Sequence, residues 1–214
     1  MKKSYISASV LAADKTKLID ELKRCENSNI DFIHFDVMDN KFVPNTSFDD
    51  DTFEKVRKHC SLLFEVHLMV NNPYDYIDRY EYNNDDVIIV HYEQFATKED
   101  LYNCILYIKN NHRVGVSIKP ATDVRVLDDF LHLLDYVLIM SVEPGFGGQK
   151  FMPIALDKIK YLSDKQDEYN FLIEVDGGIN DITYKDCLLN GCDILVSGSY
   201  LFKGDMKLNQ EKIR

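Results

Sequence analysis

Eight short apolar runs, rich in β-branched and aromatic residues, recur along the chain at residues 5–10, 32–36, 62–67, 87–91, 114–118, 136–140, 171–175 and 194–197. Runs such as VIIVH are hydrophobic at almost every position rather than at every second one, which is the pattern of strands covered on both faces of a parallel sheet. Between the runs, apolar residues return at helical spacing: Leu18, Leu22 and Cys25 in one stretch, Leu101, Cys104, Ile105 and Ile108 in another, Ala155, Ile159 and Leu162 in a third. Each strand–helix unit takes roughly 20–35 residues, and eight in succession predict a closed (β/α)8 barrel. At 214 residues the chain is short for that architecture. An open doubly wound sheet is the alternative, but its dinucleotide fingerprint belongs after the first strand, where SVLAADKTKL has no glycine.

No linker or low-complexity block interrupts the alternation, so one domain over 1–214 is expected. No apolar stretch reaches the roughly 20 residues of a membrane helix, and the N-terminal MKKSYISASVLAAD is too short an apolar run for a secretory signal, which leads to a cytoplasmic expectation. The five cysteines show no CxxC pairing and read as reduced packing residues. A formal charge of −11 without a basic cluster argues against nucleic acid or an anionic membrane as partner, so an anionic substrate must be held locally.

The chemistry-bearing residues sit at strand ends. FIHFDVM carries His34 and Asp36, FEVHLMV carries His67, and FLIEVDGGIN ends in Asp176 followed by two glycines. His34, Asp36 and Met38 share one side of the pleat, as do His67 and Met69, so both sets can face one interior. A lone strand histidine is more often a hydrogen-bonded core residue than a ligand. Two imidazoles and two carboxylates at the catalytic ends of strands two, three and seven alter that balance, because converging ionisable groups are costly to bury unless a cation or mutual pairing compensates. Together they suit one divalent cation and metal-assisted proton abstraction. His91 reads as an outer group or a packed one; His59, His112 and His132 read as surface residues. Glycines form a second constellation: VEPGFGGQ after strand six, DGGIN after strand seven and SGSYLF after strand eight. Most glycines serve tight turns, but three such loops on adjacent strand ends point to a phosphorylated small molecule.

These motifs stand in an order that resembles the ribulose-phosphate 3-epimerase family along nearly the whole chain: ASVLAAD (8–14), HFDVMDNKFVPN (34–45), VHLMV (66–70), VGVSIKPATDV (114–124), MSVEPGFGGQKFMP (140–153), EVDGGIN (174–180) and VSGSYLF (196–202). The resemblance implies a TIM barrel of the ribulose-phosphate-binding type. It also implies interconversion of D-ribulose 5-phosphate and D-xylulose 5-phosphate in the pentose phosphate pathway, by two-base proton transfer at C3 through a metal-stabilised 2,3-enediolate. Carried over residue by residue, it makes His34, Asp36, His67 and Asp176 ligands of one zinc, iron(II), manganese or cobalt ion, with Asp36 and Asp176 as the acid/base pair. Ser9, Met38, His67, Met69, Met140 and Asp176 would contact substrate; Gly145, Phe146, Gly147, Gly148, Gly177, Gly178, Gly198 and Ser199 would hold its phosphate. For the methionines, ordinary core filling is the competing reading. A homo-oligomer, dimer or hexamer, is implied as well.

The chain departs from the commonest family pattern at Asn40 and Asp49, each in place of a frequent glycine, at Lys119, where many relatives have Asn, and in its short segment after SGSYLF. Asn40 is expected to adopt a left-handed backbone, which Asn accepts better than most residues. Three other readings compete: a six-carbon relative acting on D-allulose 6-phosphate, a catalytically silent phosphosugar-binding barrel, and metal-dependent hydrolysis. Intact GFGGQ and DGGIN loops favour the five-carbon substrate, and both aspartates with both histidines in place favour a working enzyme.

Overall fold

The computed structural model describes residues 4–49 and 51–214. Eight parallel strands close into a barrel in sequence order: β1 (Tyr5–Ser9), β2 (Phe32–Met38), β3 (Leu63–Met69), β4 (Val87–His91), β5 (Arg113–Ile118), β6 (Tyr136–Met140), β7 (Leu172–Asp176) and β8 (Ile194–Ser197), with β8 pairing back onto β1. The eight expected runs are these eight strands. The largest difference is on β2 and β3, each of which continues through its methionine and pairs over seven residues, from Phe32 opposite Leu63 to Met38 opposite Met69.

The helical connections are α1 (Leu18–Glu26), α2 (Thr52–Arg57), α3 (Tyr74–Ile77), α4 (Lys98–Lys109), α5 (Ile154–Ser163), α6 (Tyr184–Leu189), α7 (Ser199–Phe202) and α8 (Met206–Lys212). The three stripes read from sequence lie on α1, α4 and α5 and are buried apart from Leu18. α4 begins in a reciprocal cap, Thr97 with Asp100, that satisfies N–H groups the first turn leaves unpaired. Between β5 and β6, however, no α-helix forms. Two 3₁₀ turns, Val124–Leu127 and Leu131–Leu133, pack Leu127 and Leu131 against the sheet instead. Asp123 accepts the Arg125 N–H at 3.0 Å and starts the first turn. Short turns and short helices of this kind let a full barrel close within a chain of this length.

The apolar core has two shells. Outward-facing strand residues such as Ile33, Phe35, Val66, Val116 and Ile173 meet the helices, while Val87, Ile89, Tyr136, Leu138 and Ile194 fill one side of the barrel interior. The other side of that interior is polar: Ser7, His34, Glu65, His67 and Glu174 are all wholly buried. Along β2, β3 and β7 the two-residue period therefore turns ionisable groups inward. At the opposite end from the site, Arg57 of α2 bonds Asp86 at 2.9 Å, gives a hydrogen bond to the Cys60 carbonyl at 2.7 Å and lies over the Phe64 ring. No described helix is long and apolar enough to cross a membrane.

Candidate active site

The C-terminal ends of the strands surround a cavity of about 400 Å³. Ser9, Asp36, Met38, Met69, Met140, Gly145, Phe146, Gly147, Gly148, Asp176, Gly177, Gly178, Gly198 and Ser199, all singled out from sequence, line it. His34 and His67 are not among the lining residues, and both are wholly buried.

His34, Asp36, His67 and Asp176 present ligand atoms that all lie within 4.8 Å of one another. Their strand positions explain the convergence. Asp36 and His67 are register partners across β2 and β3, and Asp176 closes β7 opposite Met140. Asp36 Oδ1 is 3.1 Å from His67 Nδ1 and 3.4 Å from His34 Nε2, and the two ring nitrogens are 3.3 Å apart. The Ser9 hydroxyl donates to Asp36 Oδ2 at 2.9 Å. His34 Nδ1 is held by Glu174 at 3.0 Å, and the Ser7 hydroxyl bonds Glu65 deeper in the barrel.

The two aspartates are shifted in opposite directions. Burial opposes ionisation of Asp36, but the charge of His34 and its hydrogen bond carry the Asp36 carboxyl far below the usual carboxylate range. Asp176 is pushed up to about 7 chiefly by burial, against the pull of His34 and with the charges of Asp36 and Glu174 adding to the rise. Glu174 rises to about 8 through burial and the neighbouring charge of Glu65. Burial works against charging His34, yet Asp36, Glu174 and Glu65 together raise it well above the usual imidazole range. Burial lowers His67 to about 3 and lowers His91 as well, which leaves both neutral.

The loops above the cavity are built from short polar ties. Asp39 accepts the Lys41 and Phe42 N–H groups at 2.8 and 3.0 Å and the Asn71 N–H at 2.6 Å, joining the turn after β2 to the end of β3. Asn40 between them has φ 57°, the left-handed conformation expected of it. Asn45 donates to the Gly145 carbonyl at 2.8 Å, and Gln149 closes the glycine loop on the carbonyls of Glu143 and Phe146 at 2.7 and 2.8 Å. Gly178 has φ +64°, and a Cβ there would lie 2.5 Å from the Phe151 backbone nitrogen. Only glycine fits that corner.

Three acids near the site were not singled out from sequence: the buried Glu65 and Glu174, and the partly buried Glu93. The first two repeat the spacing of His34 and Asp36, as Glu65-x-His67 and Glu174-x-Asp176, so the same alternation that turned the ligands inward was available to find them. Of the other histidines, His59 and His132 are exposed, whereas His112 is half-buried against the Tyr82 ring.

The architecture is that of a TIM-barrel enzyme with acid–base groups at the catalytic end of its strands. The tryptophan synthase alpha-subunit of Pyrococcus furiosus superposes with a TM-score of 0.68 over 100% of this chain and 98% of that one, at 14% identity, a likeness of fold alone. Sequence relatives are more particular. A ribulose-phosphate 3-epimerase of Chlamydia pneumoniae is 38% identical over 97% of this chain and 92% of its own length, and one of Bacillus subtilis (strain 168) is 38% identical over 98% and 97%. Residues 5–202 match the Ribulose-phosphate 3 epimerase family as a whole. The chain belongs to that family and is an isomerase.

Proposed function

We propose that the protein interconverts D-ribulose 5-phosphate and D-xylulose 5-phosphate by moving a proton at C3, a step of the pentose phosphate pathway. The observation that carries the mechanism is the pair Asp36 and Asp176, which line one cavity and whose carboxyls are shifted in opposite directions. Inversion needs a base on one face of a planar intermediate and an acid on the other, since a single base would mostly restore the starting sugar. Ionised Asp36 takes the C3 proton in one direction while protonated Asp176 delivers its own to the opposite face; the roles exchange in the other direction. Ser9 supports Asp36 through its hydroxyl. The thioethers of Met38, Met69 and Met140 limit water at the reacting carbon. Glycine backbone from the loops after β6, β7 and β8 forms the wall against which the phosphate group lies.

The donor set fits a divalent ion: two imidazoles and two carboxylates offer atoms within 4.8 Å of one another, and His34 has its Nδ1 engaged by Glu174 so that Nε2 faces the cluster. His34, Asp36, His67 and Asp176 would hold it, and zinc, iron(II), manganese and cobalt all suit such ligands. Bound there, the ion would stabilise negative charge developing on the oxygens at C2 and C3. The test is solvent deuterium appearing at C3 of both sugars during turnover in D2O. Absence of exchange, or a much larger kcat/KM for D-allulose 6-phosphate, would overturn the assignment.

A further inference from the structure

His67 has two ring nitrogens, and only Nδ1 faces the ligand cluster, 3.1 Å from Asp36 and 3.3 Å from His34. A neutral imidazole carries its proton on one nitrogen. A proton on Nδ1 would donate to Asp36 and close the position to a cation; a proton on Nε2 leaves an electron pair facing the cluster.

The choice between them is made on the far side of the ring. His67 Nε2 lies 2.8 Å from His91 Nε2, and His91 Nδ1 lies 3.1 Å from Glu93 Oε2. The other oxygen of Glu93 accepts the Lys119 N–H at 2.7 Å and the Thr122 hydroxyl. A carboxylate with those donors can only accept. The His91 proton therefore sits on Nδ1, His91 Nε2 accepts, and His67 Nε2 donates, each assignment following from the one before. His67 and His91 are both wholly buried, so no solvent competes for either ring. Neither His91 nor Glu93 lines the cavity.

We infer that His91 and Glu93 are positioning residues that hold His67 in the Nε2–H tautomer and so present its Nδ1 electron pair to the metal cluster. The inference rests on the reading of His67 as a ligand. Groups behind a ligating histidine are worth about 10- to 100-fold in metal affinity.

The test combines imidazole 15N spectra of chelator-treated protein with cobalt affinity measured by competition against a chelator. His67 is expected as the Nε2–H tautomer in the unsubstituted protein. His91→Phe should shift it to Nδ1–H and weaken cobalt binding about 10- to 100-fold. His91→Gln, whose amide oxygen accepts from His67 Nε2, should restore both. A proton on Nδ1 in the unsubstituted protein would overturn the inference even if His91→Phe fails to fold, as would an unchanged tautomer and affinity in that variant. Unsubstituted protein that holds the Nε2–H tautomer but takes up no cobalt would support the relay while overturning the metal reading.

Discussion

Asp36 on β2 and His67 on β3 are partners in the strand register, and their side chains meet at 3.1 Å. A cross-strand pair of this kind is set by the barrel's register. Slipping β3 by one residue would turn Glu65, His67 and Met69 outward together.

Removing either acid should stop inversion without emptying the cavity. Asp36→Asn and Asp176→Asn are each expected to lower kcat by about 10²- to 10⁴-fold with a much smaller effect on KM. Steady-state kinetics in both directions check this. Full activity in either variant would refute the two-acid mechanism.

The raised carboxyls set a pH dependence of stability. Asp176 titrates at about 7 against an ordinary 3.8, and Glu174 at about 8 against 4.5. Across that interval the folded protein retains protons that the unfolded chain releases, so unfolding free energy falls as pH rises. The stabilisation is complete below the ordinary values and lost as pH passes through the raised ones. Asp36 has the opposite sign, but its contribution is present throughout this interval and is lost only at lower pH. His67 and His91, lowered by burial, have the opposite sign below their ordinary 6.5 and offset the two acids there, so thermal melts of chelator-treated protein should show Tm decreasing from pH 6.5 to pH 8. Glu174→Gln should flatten part of that slope.

Two glycines that line the cavity should respond in opposite ways to the same change. At Gly178 an added methyl meets backbone at 2.5 Å in a left-handed conformation; at Gly147 it meets nothing within 4 Å. Gly178→Ala should cost about 1–3 kcal/mol and raise KM, while Gly147→Ala should stay within about 0.5 kcal/mol of the parent. Denaturant melts beside KM measurements distinguish the two.

Arg57 and Asp86 form an ion pair in which both side chains are almost wholly buried. Asp86 also accepts the Phe64 N–H at 2.9 Å, which ties the pair to the start of β3. Truncating Arg57→Ala strands the carboxylate, so a loss of about 3–5 kcal/mol in unfolding free energy is expected. A loss below about 1 kcal/mol, the range of an exposed pair, would show that solvent reaches Asp86.

Much of this was legible before folding because it depends on local repetition. Hydrophobic runs of strand length, glycine loops and His34-x-Asp36 all follow from short-range spacing, and Asn40 adopts the backbone expected of it. The connection between β5 and β6 misled, since hydrophobic residues such as Val126, Leu127, Leu131 and Leu134 suit two 3₁₀ turns as well as one helix. His112 was placed on the surface because nothing adjacent in the chain signals the Tyr82 ring beside it.

Residue order alone was sufficient for the barrel, for the cavity-lining loops and for the four inward groups, because a strand's two-residue period dictates which side chains share a face. Tertiary structure decided what those groups become. The burial of His34 and His67, the opposite shifts of Asp36 and Asp176, and the hydrogen-bonded line from His67 through His91 to Glu93 all arise from distances between different strands and their loops. Electrostatic coupling depends on separation and dielectric in space, and neither exists until the barrel closes.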